Sequence, residues 1–80
     1  MTETTPDIPL LDLRGLKCPL PVLRTRKALL ALAPGERVAV LCTDPMAAID
    51  IPNLLREEGD RLERQCHEDG TLRFVVVRGG

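Results

Sequence analysis

The chain has 80 residues, a formal net charge of -1 and 44% hydrophobic content, which describes one small folded domain rather than a disordered segment or a polyanion binder. Phe74 is the only aromatic residue, so the core is expected to be aliphatic, and the aromatic platforms that stack nucleic-acid bases are missing. Three cysteines cannot all pair within one chain, no segment has the layout of a secretory signal, and the longest apolar runs, around 28–33 and 38–42, fall far short of a membrane span. A reducing, cytoplasmic setting with free thiols is the expectation.

Residues 1–9 are expected to form a flexible N-terminal tail, and 10–80 a single domain. Leu10 to Arg14 alternates as a short strand, with Leu11 and Leu13 on one face. Gly15-Leu16-Lys17 turns the chain into a helix over 19–33, where Pro19 suits the first helical position and Val22, Thr25, Leu29 and Leu32 share a face. Pro34-Gly35 stops it. Arg37 to Thr43 is apolar on both faces, the mark of a central strand. A second helix is expected to open with Asp44 as N-cap and Pro45 in its first turn, to kink at Pro52 and to end at Gly59. Residues 61–68 and 71–78 form a hairpin around Asp69-Gly70. The order predicts an α+β two-layer sandwich, β-α-β-α-β-β, with two helices on one face of a four-stranded mixed sheet.

Charge is unevenly spread: residues 1–40 carry six basic and four acidic groups, and residues 41–80 carry five basic and eight acidic. The basic half holds the most informative stretch, Cys18-Pro19-Leu20-Pro21. A thiol at a helix mouth feels the positive end of the macrodipole, and Arg14 and Lys17 lie beside it, so a lowered thiol pKa is expected. Pro19 and Pro21 remove two backbone N–H groups, leaving those of Leu20 and Val22 to face the sulfur, and they stiffen the turn so that the thiol is held outward. A protruding, activated sulfur suits delivery into a partner's pocket. Cys42 reads as core, Cys66 and His67 as edge-strand residues, and Asp44 and Asp50 as helix cap and helix surface. The scattered cysteines and His67 lack the clustering that a zinc site needs, so no metal and no cofactor are expected. No catalytic histidine or carboxylate pair accompanies Cys18 in sequence, which excludes an autonomous hydrolase of the usual design. The Gly79-Gly80 terminus offers an alternative, since ubiquitin-like sulfur carriers act through a terminal thiocarboxylate, although they follow a different strand order.

Leu11-Asp12 followed by Gly15-Leu16-Lys17-Cys18-Pro19-Leu20-Pro21 resembles the signature of the TusA/SirA-like sulfur-carrier family, and the likeness continues through Arg26-Lys27, Pro34-Gly35-Glu36, Thr43-Asp44-Pro45, Asp50-Ile51-Pro52 and Arg78-Gly79-Gly80. It departs at Leu20, where many members carry an acidic or polar residue. The resemblance implies that Cys18 carries sulfur as a persulfide, supported by the motif residues Gly15, Lys17, Pro19 and Pro21. It also implies a cysteine desulfurase or rhodanese-type donor and a downstream acceptor protein, in tRNA thiolation, molybdenum-cofactor or oxidative sulfur metabolism. The charge pattern makes Arg14, Arg24 and Lys27 the expected docking residues, with neither a membrane nor nucleic acid as a direct partner. A thiol-redox or regulatory module is an alternative. An RNA-binding module is another, because the expected fold also resembles a domain of a bacterial translation initiation factor.

Overall fold

A computed structural model describes residues 8–79. Its elements follow the expected order: β1 (Leu10–Leu13), α1 (Leu20–Leu30), β2 (Arg37–Cys42), α2 (Ala47–Glu58), β3 (Arg61–Glu68) and β4 (Thr71–Val77). The sheet runs β1-β2-β4-β3, with β1 parallel to β2 and the other neighbours antiparallel. Both helices pack on one face, giving the two-layer α+β sandwich that the sequence predicts.

Alternation builds the core. Val38, Val40 and Cys42 of β2 pair in register with Val76, Phe74 and Leu72 of β4, so all six point at the helices. Leu13, Leu29, Ala47, Ile51 and Leu55 close over them. Phe74 and Val40 are fully buried at the centre. Ala39 and Val75, on the other face of the sheet, are also buried, which explains why β2 reads as apolar on both sides.

Local chemistry sets the element ends. Asp69 (φ 51°) and Gly70 (φ 77°) supply the two left-handed residues of a tight hairpin turn. Gly59 (φ 77°) ends α2 in the left-handed C-cap conformation. Helix α1 stops at Leu30 rather than at 33: the N–H groups of Ala31 and Leu32 fold back onto Ala28 and Leu29 in a tighter final turn. The guanidinium of Arg78 then takes the freed carbonyls of Leu29, Leu30 and Leu32 at 2.7–3.1 Å. Strand β3 carries an irregularity between Leu62 and Arg64, one residue of which has no partner on β4.

The start of α2 also differs from expectation. Helix α2 begins at Ala47, because Asp44 to Ala47 first forms a tight turn in which Asp44 accepts the Met46 N–H through its side chain and the Ala47 N–H through its carbonyl. Asp44 therefore caps that turn and not the helix itself. Helix α2 continues through Pro52 from 47 to 58, so the proline does not stop it, in line with expectation. At the other terminus, Gly79 is held in place. Its N–H donates to Asp60 Oδ1 at 2.7 Å, and a Cβ there would fall 1.8 Å from the Gly59 carbonyl oxygen. The expected tail of residues 1–9 is placed only at Ile8 and Pro9, where the Pro9 carbonyl accepts the Ala39 N–H; its first seven residues, and Gly80, lie outside the described residues.

Candidate functional site

Parallel pairing of β1 with β2 sends both of their exit loops to the same end of the sheet, since Leu13 lies opposite Cys42. The loop holding Cys18 leaves β1 there, and the turn holding Thr43 and Asp44 leaves β2. The carboxyl ends of parallel strands are the usual place for a site in such folds.

Three contacts tie the two loops together. Gly15, at φ 86°, adopts a conformation that side chains disfavour and donates its N–H to Thr43 Oγ1 at 2.8 Å. The Cys18 N–H donates to Asp44 Oδ2 at 2.5 Å. The Cys18 thiol donates to Asp50 Oδ2 at 3.5 Å. Thr43, Asp44 and Asp50 thus anchor a loop that lies 26 to 32 residues before them. Cys18 itself is exposed, and it borders a shallow trench of about 340 Å³ with Pro19, Val22, Asp50, Asn53, Leu54 and Glu57.

The electrostatics reverse the expected activation of the thiol. Its pKa is raised, first by the hydrogen bond to Asp50, then by partial desolvation and by the charges of Asp50 and Asp44. The Leu20 N–H, expected to face the sulfur, donates instead to the Lys17 carbonyl at 2.9 Å. Arg14 is also diverted: its guanidinium grips Asp12 at 2.8–2.9 Å and holds that carboxyl down at about 2. Asp44 is kept ionised by the N–H groups of Cys18 and Met46, with a smaller contribution from the charge of Lys17.

The remaining sequence candidates fall as follows. Lys17, Pro19, Arg24 and Lys27 are exposed, whereas Pro21 is buried on the inner face of α1. Cys42 is buried in the core, as expected, and burial pushes its thiol up to about 11. Cys66 is exposed on β3, on the helix-free face of the sheet, opposite Arg73. Among the described residues no cluster of His, Cys, Asp and Glu could hold a metal ion. Nor is any helix among them long and apolar enough to cross a membrane.

Sequence reading assigned Asp44 and Asp50 to helix capping and helix surface, and so missed them as neighbours of the thiol. One signal was present. At 100° per residue Asp50 falls only about 40° from Leu54, at the border of the buried stripe, where a side chain faces the neighbouring helix rather than open solvent.

Comparison with known proteins agrees with this architecture. The profile of the family described as "Sulfurtransferase TusA" matches residues 10–78. The sulfur carrier protein TusA of Allochromatium vinosum is 36% identical over 85% of this chain and 90% of its own length. The sulfur carrier protein TusA of Pseudomonas putida strain W619 is 41% identical over 95% and 94%. Among solved structures, the SirA-like protein of Desulfitobacterium hafniense superposes with a TM-score of 0.80 at 27% identity, covering 91% of this chain and all of that one. With nearly the whole folded region inside the profile and the strand order shared with a SirA-like structure, the chain belongs to the TusA family of sulfur carriers.

Proposed function

We propose that Cys18 is the carrier residue, holding sulfane sulfur as a persulfide between a donor and an acceptor protein. The observation that supports this most is the placement of Cys18: exposed, on a loop pinned at two points to the β2 exit turn by Gly15–Thr43 and Cys18–Asp44, beside a shallow trench. A rigid, accessible sulfur is suited to entering another protein's active site. The proposed donors are a cysteine desulfurase or a rhodanese-type protein, and the acceptor serves tRNA thiolation, molybdenum-cofactor or oxidative sulfur metabolism, in a reducing cytoplasm. Gly15 and Lys17 shape the loop, Pro19 starts α1 and Pro21 anchors it in the core.

Docking is assigned to the exposed cations of the loop and of α1, namely Lys17, Arg24 and Lys27. Arg14 contributes less, because Asp12 already occupies it. Steering by such charges is screened beyond about 8–10 Å at moderate salt, so it acts chiefly on association rate. Charge reversal at Lys17 and Lys27 is expected to slow protein-to-protein transfer more than loading from inorganic polysulfide. A salt-independent transfer rate for both proteins would rule out steering.

The test of the carrier assignment is peptide mapping after incubation with a sulfur donor. A mass gain of about 32 Da, one sulfur atom, is expected on the Cys18 peptide and is lost in Cys18→Ser. Sulfur found on Cys42 or Cys66 instead would overturn the assignment.

A further inference from the structure

The Asp50 carboxylate is the hydrogen-bond acceptor of the Cys18 thiol, and this contact has opposite consequences for the empty and loaded states of a carrier. The groups facing the sulfur are mostly acidic. Asp50 and Glu57 line the trench from α2, and Asp44 holds the Cys18 N–H from the β2 exit turn. Of the nearby cations, Arg14 is bound to Asp12, and the charge of Lys17 acts on Asp44. No protein cation is hydrogen-bonded or ion-paired to Asp50 among the described residues.

We propose that Asp50 is a positioning residue that biases the carrier toward discharge, stabilising the empty thiol by a hydrogen bond and repelling the anion of the loaded persulfide. This rests on the reading that Cys18 carries the persulfide. In loading, a lone pair on Cys18 Sγ attacks the outer sulfur of the donor persulfide. A new Sγ–S bond forms, and the donor S–S bond breaks with its electron pair staying on the donor's inner sulfur. The proton released from Cys18 ends on that donor sulfur. Discharge is the same exchange run toward an acceptor thiol, and neither direction involves net oxidation.

A persulfide is a stronger acid than a thiol, so the loaded group is anionic near neutral pH and has no proton to offer Asp50. Loading therefore exchanges a favourable contact for a like charge placed one S–S bond beyond an Sγ that lies 3.5 Å from the carboxylate. Both effects favour release of sulfur. Because the site is exposed, solvent screens the repulsion and the bias is modest. A modest bias suits a relay, since a carrier that bound its sulfur tightly would stop the flow.

The experiment equilibrates wild type, Asp50→Asn and Asp50→Ser with a small-molecule persulfide and its thiol at fixed ratio, reading the loaded fraction by mass spectrometry. In parallel, iodoacetamide alkylation of the empty proteins is followed against pH. Both variants are expected to raise the loading equilibrium constant several-fold and to move the alkylation midpoint to lower pH. A merely structural role for Asp50 would not move that midpoint downward. An unchanged or lowered loading constant in both variants, with wild type still loading at Cys18, overturns the discharge role alone. Failure of wild-type Cys18 to take up sulfur removes the carrier reading and the discharge role together, whatever the alkylation profile shows.

Discussion

Thr25 is completely buried on the inner face of α1, and its hydroxyl has no hydrogen-bond partner among the described residues. Leaving a hydroxyl unpaired in an apolar setting costs about 1–3 kcal/mol by mutational measures. Thr25→Val replaces that hydroxyl with a methyl of nearly the same shape, keeps the β-branch and changes helix propensity little. The substitution is therefore expected to stabilise the domain by about 1–2 kcal/mol. Thr25→Ala removes the hydroxyl but also a buried methyl, which offsets the gain, so it should fall well below the valine variant. With no tryptophan or tyrosine in the chain, unfolding is best followed in urea by far-UV circular dichroism. At a slope of about 1 kcal/mol/M for a chain of this size, the gain appears as a midpoint about 1–2 M higher with the slope unchanged. A valine variant no more stable than wild type would refute the reasoning and would mean that the hydroxyl has a partner, such as the Pro21 carbonyl one turn earlier or a buried water.

Cys42→Ser is expected to keep sulfur loading while losing about 1–3 kcal/mol in the same urea assay, because it places a hydroxyl among Val40, Phe74 and Leu72. Alkaline titration should weaken the fold between about pH 9 and 11. The Cys42 thiol is held up to about 11 from an ordinary 9.0, so over that interval the unfolded chain releases a proton that the folded chain retains, and stability falls as pH rises. Cys42→Ala should flatten that slope in urea titrations at several pH values, and an equally steep slope would assign it elsewhere. Gly79→Ala cannot keep the present packing against Gly59, so a lower midpoint is expected, with Cys18 still loading to the wild-type extent. Loss of transfer from a loaded Gly79→Ala protein would favour a thiocarboxylate at the C-terminus.

The fold was largely legible because its signals are local. Alternation in 37–42 and 71–77, the Asp69-Gly70 turn and the Gly59 stop each specify one element, and a short chain offers few ways to pack six. The site was legible only in part. Cys18 and Gly15 announce themselves through a helix mouth and a turn. Asp44 and Asp50 act on the thiol across 26 and 32 residues, and their local contexts are satisfied by ordinary roles at a turn and on a helix. The sign of the thiol's pKa shift followed from that omission. Sequence neighbours supplied Arg14 and Lys17 as the charges to count, whereas in space Arg14 belongs to Asp12 and the carboxylate of Asp50 is at the sulfur.

The two edges of the sheet are each poor templates for a visiting strand. β1 offers only four residues, one of them the ion-paired Asp12. β3 is longer, but its exposed Arg61, Glu63, Arg64 and Glu68 and its irregular pairing near Leu62 interrupt any flat row of free backbone groups. A protein meant to meet several partners in turn gains from this, since strand addition would give slow-leaving complexes and would invite copies of the chain to join edge to edge. On the proposal that Cys18 carries the sulfur, contact would instead fall to the loop end of the molecule.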